Sequence, residues 1–133
     1  MLTENDVIAA VVAHLEGQGW TRISVSQTDQ RGVDILMERD GSTIAVEAKG
    51  GTSSKQGTNR FGQPFTNNQK GSHVSRALYT AVRTVSEDKH RAAIAVPSDE
   101  GHERLIAAIR PALRTLEIAV FLVQEDHSVR ELT

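Results

Sequence analysis

No cysteine occurs anywhere in the 133 residues. Disulfides, thiolate metal sites and cysteine nucleophiles are therefore excluded as explanations of what the chain does. Aromatic residues are scarce, with one Trp, one Tyr and three Phe, so an interior of Val, Ile, Leu and Ala is expected. No apolar run approaches the ~20 residues that cross a bilayer, and the first residues lack the basic-then-apolar pattern of a secretion signal. A cytoplasmic protein with no membrane partner is the expectation. Acids are missing from one long stretch: there is none between Ala48 and Ser86, while Lys49, Lys55, Arg60, Lys70, Arg76 and Arg83 all fall there. The other nine basic residues stand against all seventeen acids, so a net charge of −2 conceals a basic middle in an acidic chain. Such segregation suggests a local surface for a polyanion; the plainer reading is a solvated loop and helix. The length fits a single domain over 1–133.

What is present centres on residues 32–50, GVDILMERDGSTIAVEAKG. Asp40-Gly41 is a dipeptide favoured in two-residue type I′ hairpin turns. With those two residues as the loop, Arg39 faces Ser42, Met37 faces Ile44, Ile35 faces Val46 and Asp34 faces Glu47. Val33, Ile35, Met37, Ile44, Val46 and Ala48 then share one wholly apolar face, which a one-residue slip would destroy. The other face carries Asp34, Glu47 and Lys49. Opposed carboxylates have Cβ atoms roughly 5 Å apart and destabilise a sheet. With a lysine beside them, they form a plausible seat for a divalent cation. The bland reading is a surface Asp and Glu neutralised by Lys49.

The surrounding pattern predicts an α/β fold. Residues 3–17 read as a helix with Thr3 as N-cap and Asp6 three residues on, Glu4 and Asp6 suiting the positive end of its dipole. Residues 20–26 alternate as a strand with Trp20, Ile23 and Val25 apolar. A loop over 50–68, rich in Gly, Ser, Thr, Asn and Gln, is longer than ordinary connections. Phe61 and Phe65 either anchor that loop or stack on bases. A helix over about 69–85 buries Val74, Leu78, Ala81, Val82 and Val85, and Gly71 is expected to delay its start to near Ser72. A strand at 91–96 follows, then a helix capped by Ser98 through Arg110 that Pro111 kinks or restarts. An apolar run at 118–123 reads as a central strand, and 129–132 as a short edge strand. The resulting order is α-β-β-β-α-β-α-β with one extra edge strand, a mixed sheet flanked by helices.

Gly32-Val33-Asp34, followed thirteen residues after the Asp by Glu47-Ala48-Lys49, resembles the PD-(D/E)xK nuclease superfamily. Its restriction-endonuclease-like core has the α-β-β-β-α-β order of 3–96, to which this chain adds a C-terminal helix and strand. The small resolvase-, repair- and restriction-type nucleases are closest in layout. Val33 departs from the Pro of the motif's name, and identity beyond the hairpin is slight.

The resemblance implies Mg²⁺ or Mn²⁺, hard ions bound by oxygen, held by Asp34, Glu47 and the Ala48 carbonyl. It implies Lys49 as the cation that orients water or neutralises charge in phosphodiester hydrolysis. Glu4 is the candidate for a first-helix glutamate reaching the metal, against its plain role at the helix dipole. Glu16 is the weaker candidate. Gln69 stands where relatives carry a Gln near the metal water. Lys55, Arg60, Lys70, His73 and Arg76 are expected along the nucleic-acid path, although a plain surface histidine also explains His73. The expected activity is metal-dependent cleavage of nucleic acid, DNA in the first instance, with a homodimer as an implied assembly. The competing expectation is a nuclease-like module that binds nucleic acid or partner proteins without turnover. The loop at 50–68 lacks the Walker pattern, which argues against a nucleoside triphosphatase.

Overall fold

The structure, a computed structural model, describes residues 1–25, 33–52 and 63–132. Their order is α1 (Glu4–Gly17), β1 (Thr21–Val25), β2 (Ile35–Arg39), β3 (Ser42–Ala48), α2 (Asn67–Glu87), β4 (Arg91–Pro97), α3 (Glu100–Thr115), β5 (Ala119–Val123) and β6 (Val129–Leu132). The strands form one six-stranded sheet in sequence order. β1, β2 and β3 pair antiparallel, β3–β4 and β4–β5 are parallel through the α2 and α3 crossovers, and β6 returns antiparallel. This is a mixed α/β sheet.

The β2–β3 register is the one its turn dictates. Ile35 pairs with Val46, Met37 with Ile44 and Arg39 with Ser42. Asp40 and Gly41 both take positive φ, 52° and 82°, as a type I′ turn requires. Ile35, Met37, Ile44, Val46 and Ala48 are buried together against Val7, Val11 and Leu15 of α1. The opposite face of the sheet packs Ile94, Val120 and Leu122 against Val74, Ala77 and Ala81 of α2 and Ile106 and Leu113 of α3. Because side chains alternate along a strand, Glu47 faces away from the core that buries its neighbours Val46 and Ala48.

Helix boundaries follow from caps. Thr3 Oγ1 accepts from the Asp6 N–H at 3.1 Å and Asp6 Oδ2 accepts from the Thr3 N–H at 2.8 Å, a reciprocal box that starts α1 at Glu4. The same device extends α2 beyond expectation. Thr66 Oγ1 accepts from the Gln69 N–H and Gln69 Oε1 from the Thr66 N–H, so the helix begins at Asn67 despite Gly71. The cap of α3 is Asp99 rather than Ser98, and Pro111 lies inside that helix. Buried Ile106 and Leu113 hold the segment to the sheet on both sides of the proline. β1 departs from simple alternation: its register shifts between Arg22 and Ser24, leaving Ile23 49% exposed. A bulge gives one strand an extra residue and re-aims its side chain.

Gly71 offers a direct test of local energetics. It sits within α2 with no atom within 4 Å of where a Cβ would stand. Gly71→Ala is expected to raise stability by about 0.5–1 kcal/mol, since only glycine's backbone entropy is lost. A urea midpoint unchanged or lowered would contradict this.

Candidate functional site

β3 ends at the carboxyl edge of the parallel strands β3 and β4, and the Lys49 N–H continues the ladder to the Ala95 carbonyl at 2.9 Å. Crevices at that edge of α/β sheets are where ligands gather. Asp34 lies just before β2 and is only 6% exposed. Its Oδ2 accepts the Ala48 N–H at 2.8 Å, so Asp34 is tied by its side chain to the strand that carries Glu47. The register that pairs Ile35 with Val46 sets Asp34 opposite Glu47, and each of the two carboxyls perturbs the titration of the other. Lys49 Nζ stands 3.8 Å from Glu47 Oε1, both side chains mostly enclosed.

Electrostatics describe a crowded anionic site. Burial is the chief cause that raises the Glu47 carboxyl from an ordinary 4.5 to about 7; Asp34 and Glu4 add to it and Lys49 opposes it. Asp34 is raised by burial against the Ala48 N–H, Lys49 and Glu47 contact, all of which lower it. Glu4 also rises from 4.5 to about 7, through burial first and then the neighbouring Asp34, with Lys49 again opposing. Glu4 therefore belongs to the cluster, although α1 packs on the other face of the sheet.

The approach of α1 explains how. A Cβ on Gly50 would stand 2.3 Å from the Glu4 nitrogen and 2.7 Å from the Thr3 carbonyl carbon. The Gly51 N–H donates to the Leu2 carbonyl at 2.8 Å. The bare backbone after Lys49 thus admits the first turn of α1 end-on and brings Glu4 around to Asp34 and Glu47. In the sequence, Lys-Gly-Gly directly after the acid-bearing strand was the signal for this approach.

The remaining predicted residues divide. Gln69 uses its Oε1 in the α2 cap. Lys70 is turned inward: its side chain is 13% exposed and its Nζ lies 3.1 Å from Asp99 Oδ1. His73 is half-buried, with the Phe65 ring edge-on at 4.5 Å and its Nδ1 buried without a hydrogen-bond partner. Burial first, then the charges of Lys49 and Arg76 and the nearby His102, depress its pKa. Lys49 and His73 are thus close enough to influence each other, whereas Arg76 lies on the exposed side of α2. Phe65 acts as an anchor, its N–H bonded to the Gly51 carbonyl and its ring on His73. Glu16 is bound to Arg22 at 3.0 Å, at the other end of α1. Lys55, Arg60 and Phe61, with residues 26–32, lie outside the described residues. Sequence reasoning did not single out Asp99 or His102, which meet Lys70 from α3.

Compared with known proteins, the chain matches no family model, no curated protein and no solved structure. Among the described residues no group of three or more His, Asp or Glu is arranged to hold a metal ion together. The oxygens present, two carboxyls set opposite each other across β2 and β3 and a third that perturbs them, are of the kind a hard cation takes. A cavity of about 570 Å³ opens at the far end of β3, lined by Ser42, Thr43, Asp88, His90 and Glu117 among others. It touches none of these carboxyls. No helix among the described residues is long and apolar enough to cross a membrane.

Proposed function

We propose that the chain is a metal-dependent nuclease of the PD-(D/E)xK type, hydrolysing phosphodiester bonds in nucleic acid, with DNA as the first substrate to test. One observation carries the reading: Asp34, tied to the Ala48 N–H, is held opposite Glu47 at the end of β3 with Lys49 beside them. The α-β-β-β-α-β order from α1 to β4 supports a restriction-endonuclease-like core. Asp34, Glu47 and the Ala48 carbonyl would hold Mg²⁺ or Mn²⁺, while Glu4, which forms no three-acid metal group with them among the described residues, bears on the site through its charge. Such an ion, when bound, polarises the phosphodiester and acidifies water.

The chain's own groups then have separable tasks. Hydrolysis adds a water oxygen to phosphorus, breaks one phosphorus–ester oxygen bond and returns a proton to the departing alkoxide. The Lys49 ammonium is placed to offset the negative charge that gathers on the phosphoryl oxygens as the bond breaks. Asp34, fixed through the Ala48 N–H, keeps the acidic pair from moving apart. His73, held near Lys49 with a depressed pKa, is uncharged at neutral pH and adds no competing cation.

A second reading is a binding module without turnover. It is favoured by the engagement of Gln69 in a helix cap and of Lys70 in an internal ion pair. Incubation with single-stranded, duplex, flapped and branched DNA, and with RNA, in Mg²⁺, Mn²⁺ or EDTA separates the two. The expected result is cleavage in either metal and none in EDTA. Lys49→Ala is expected to lower the rate by about 10²–10³-fold, the usual cost of removing one preorganised electrostatic contact, in a chain that still folds. Binding in every metal without cleavage would establish the module instead.

A further inference from the structure

We infer that His102 is a positioning residue, which acts through Asp99 and Lys70 to clamp the start of α2 against α3 beside the candidate site. His102 is wholly buried, at 0% exposure. Its Nδ1 lies 2.8 Å from Asp99 Oδ2, while Asp99 Oδ1 accepts the His102 backbone N–H at 2.9 Å and Lys70 Nζ at 3.1 Å. One carboxylate therefore joins the first turn of α3, a buried imidazole and a lysine from α2. The carboxylate only accepts, so Nδ1 carries the hydrogen and Nε2 of the neutral ring is a bare lone pair. That Nε2 is buried without a partner. An unpaired buried acceptor is unfavourable, a cost that a leucine of similar bulk would not incur.

What the imidazole supplies in return is the orientation of Asp99. With Oδ2 held by the ring, Oδ1 is aimed at Lys70. The lysine stem lies directly on the α3 backbone: a Cβ on Gly101 would stand 2.9 Å from Lys70 Cδ. The Lys70 stem and the Asn67 amide oxygen fill the space over Gly101. Lys70 follows Gln69 and lies one turn before His73, the residue whose ring senses both Lys49 and His102. The clamp thus holds the part of α2 nearest to Lys49, using groups about thirty residues away in sequence.

Amide hydrogen exchange on the full chain tests this without requiring turnover. His102→Leu is expected to speed exchange at residues 69–74 of α2 by about tenfold or more, one RT ln 10 of local opening being about 1.4 kcal/mol. His102→Asn, whose side-chain N–H can donate to Asp99 in place of Nδ1, is expected to restore slow exchange. Lys70→Met, which removes the other end of the clamp, should reproduce the His102→Leu pattern, and the double variant should add little to either. Faster exchange confined to α3, or His102→Asn behaving like His102→Leu, would overturn the clamp and leave His102 a core residue.

The consequence for catalysis rests on the proposed nuclease. There His102→Leu should lower kcat about tenfold with KM nearly unchanged, and His102→Asn should recover it. An altered α2 exchange with unaltered kcat would overturn the link to the site. Absence of cleavage by the unaltered chain would overturn the nuclease and leave the clamp to be judged by exchange.

Discussion

Glu47→Gln should make the metal-free chain more stable at pH 8 by about 1–3 kcal/mol, at 1.36 kcal/mol per pKa unit, while abolishing metal-dependent cleavage. Glu47 is raised from 4.5 to about 7 by burial above all, then by Asp34, with Lys49 only partly compensating. Between those two pH values the folded chain binds a proton that the unfolded chain has released. The stabilisation is complete below about pH 4.5 and disappears as pH rises through about 7. Glu4 titrates in the same window and adds to the slope. Denaturant midpoints in EDTA should therefore fall from pH 5 to pH 8 in the unaltered chain and fall less in Glu47→Gln, which has no proton to lose at that position. A glutamine variant less stable than the parent at pH 8 would show that Lys49 compensates Glu47 fully. The idea of a site held under electrostatic tension would then be wrong. Loss of activity with gain of stability is the common signature of residues kept for chemistry.

Gly50→Ala should be the most damaging glycine-to-alanine substitution among the described residues. The added carbon would meet the Glu4 nitrogen at 2.3 Å, the Thr3 carbonyl carbon at 2.7 Å and the Glu4 Cα at 3.0 Å. All three are backbone atoms at a capped helix end, and no rotamer change can move them aside. Overpacking of this kind costs about 1–3 kcal/mol and occasionally more; here the upper part of that range is expected, with α1 pushed away from β3. Displacement of Glu4 also removes one of the charges that raise Glu47, so the Glu47 carboxyl should titrate lower in Gly50→Ala. Gly51→Ala is the comparison: its nearest contact would be the Pro97 ring edge at 3.4 Å, ordinary enough to accommodate. Thermal melts of the two variants, with carboxyl titration by NMR, decide the matter. Equal stabilities would show that α1 does not depend on the bare backbone at Gly50.

Much of this molecule is decided over distances of a few residues. Asp40-Gly41 selects its turn because both residues must adopt positive φ, and the turn then dictates which residues of β2 and β3 face each other. Alternation carries Ile35, Met37, Ile44, Val46 and Ala48 to one face and Glu47 to the other, so the opposition of acids near Lys49 was legible before any coordinates. The Thr3–Asp6 box was legible for the same reason, its donors and acceptors being three residues apart. The Thr66–Gln69 box was equally present in the sequence, and it accounts for the early start of α2 that Gly71 alone would argue against.

Other features had no local signature. Ile23 reads as a core residue by alternation, yet it is 49% exposed in an edge strand whose register shifts there against β2. Glu4 reads either as a dipole residue or, by the family resemblance, as a glutamate near the metal; its place among the carboxyls depends on a contact between α1 and a glycine forty-six positions later. Lys70 reads as part of a basic surface until Asp99 claims it, and His102 reads as an ordinary helical histidine until α2 covers it. By itself the sequence determined the elements, the hairpin register and the acidic pair, because sterics, caps and period-two burial act between near neighbours. Only the tertiary structure decided which carboxyls share a field and which cations are enclosed. Those are set by packing between segments distant in the chain, and electrostatic energy depends on that separation and on burial.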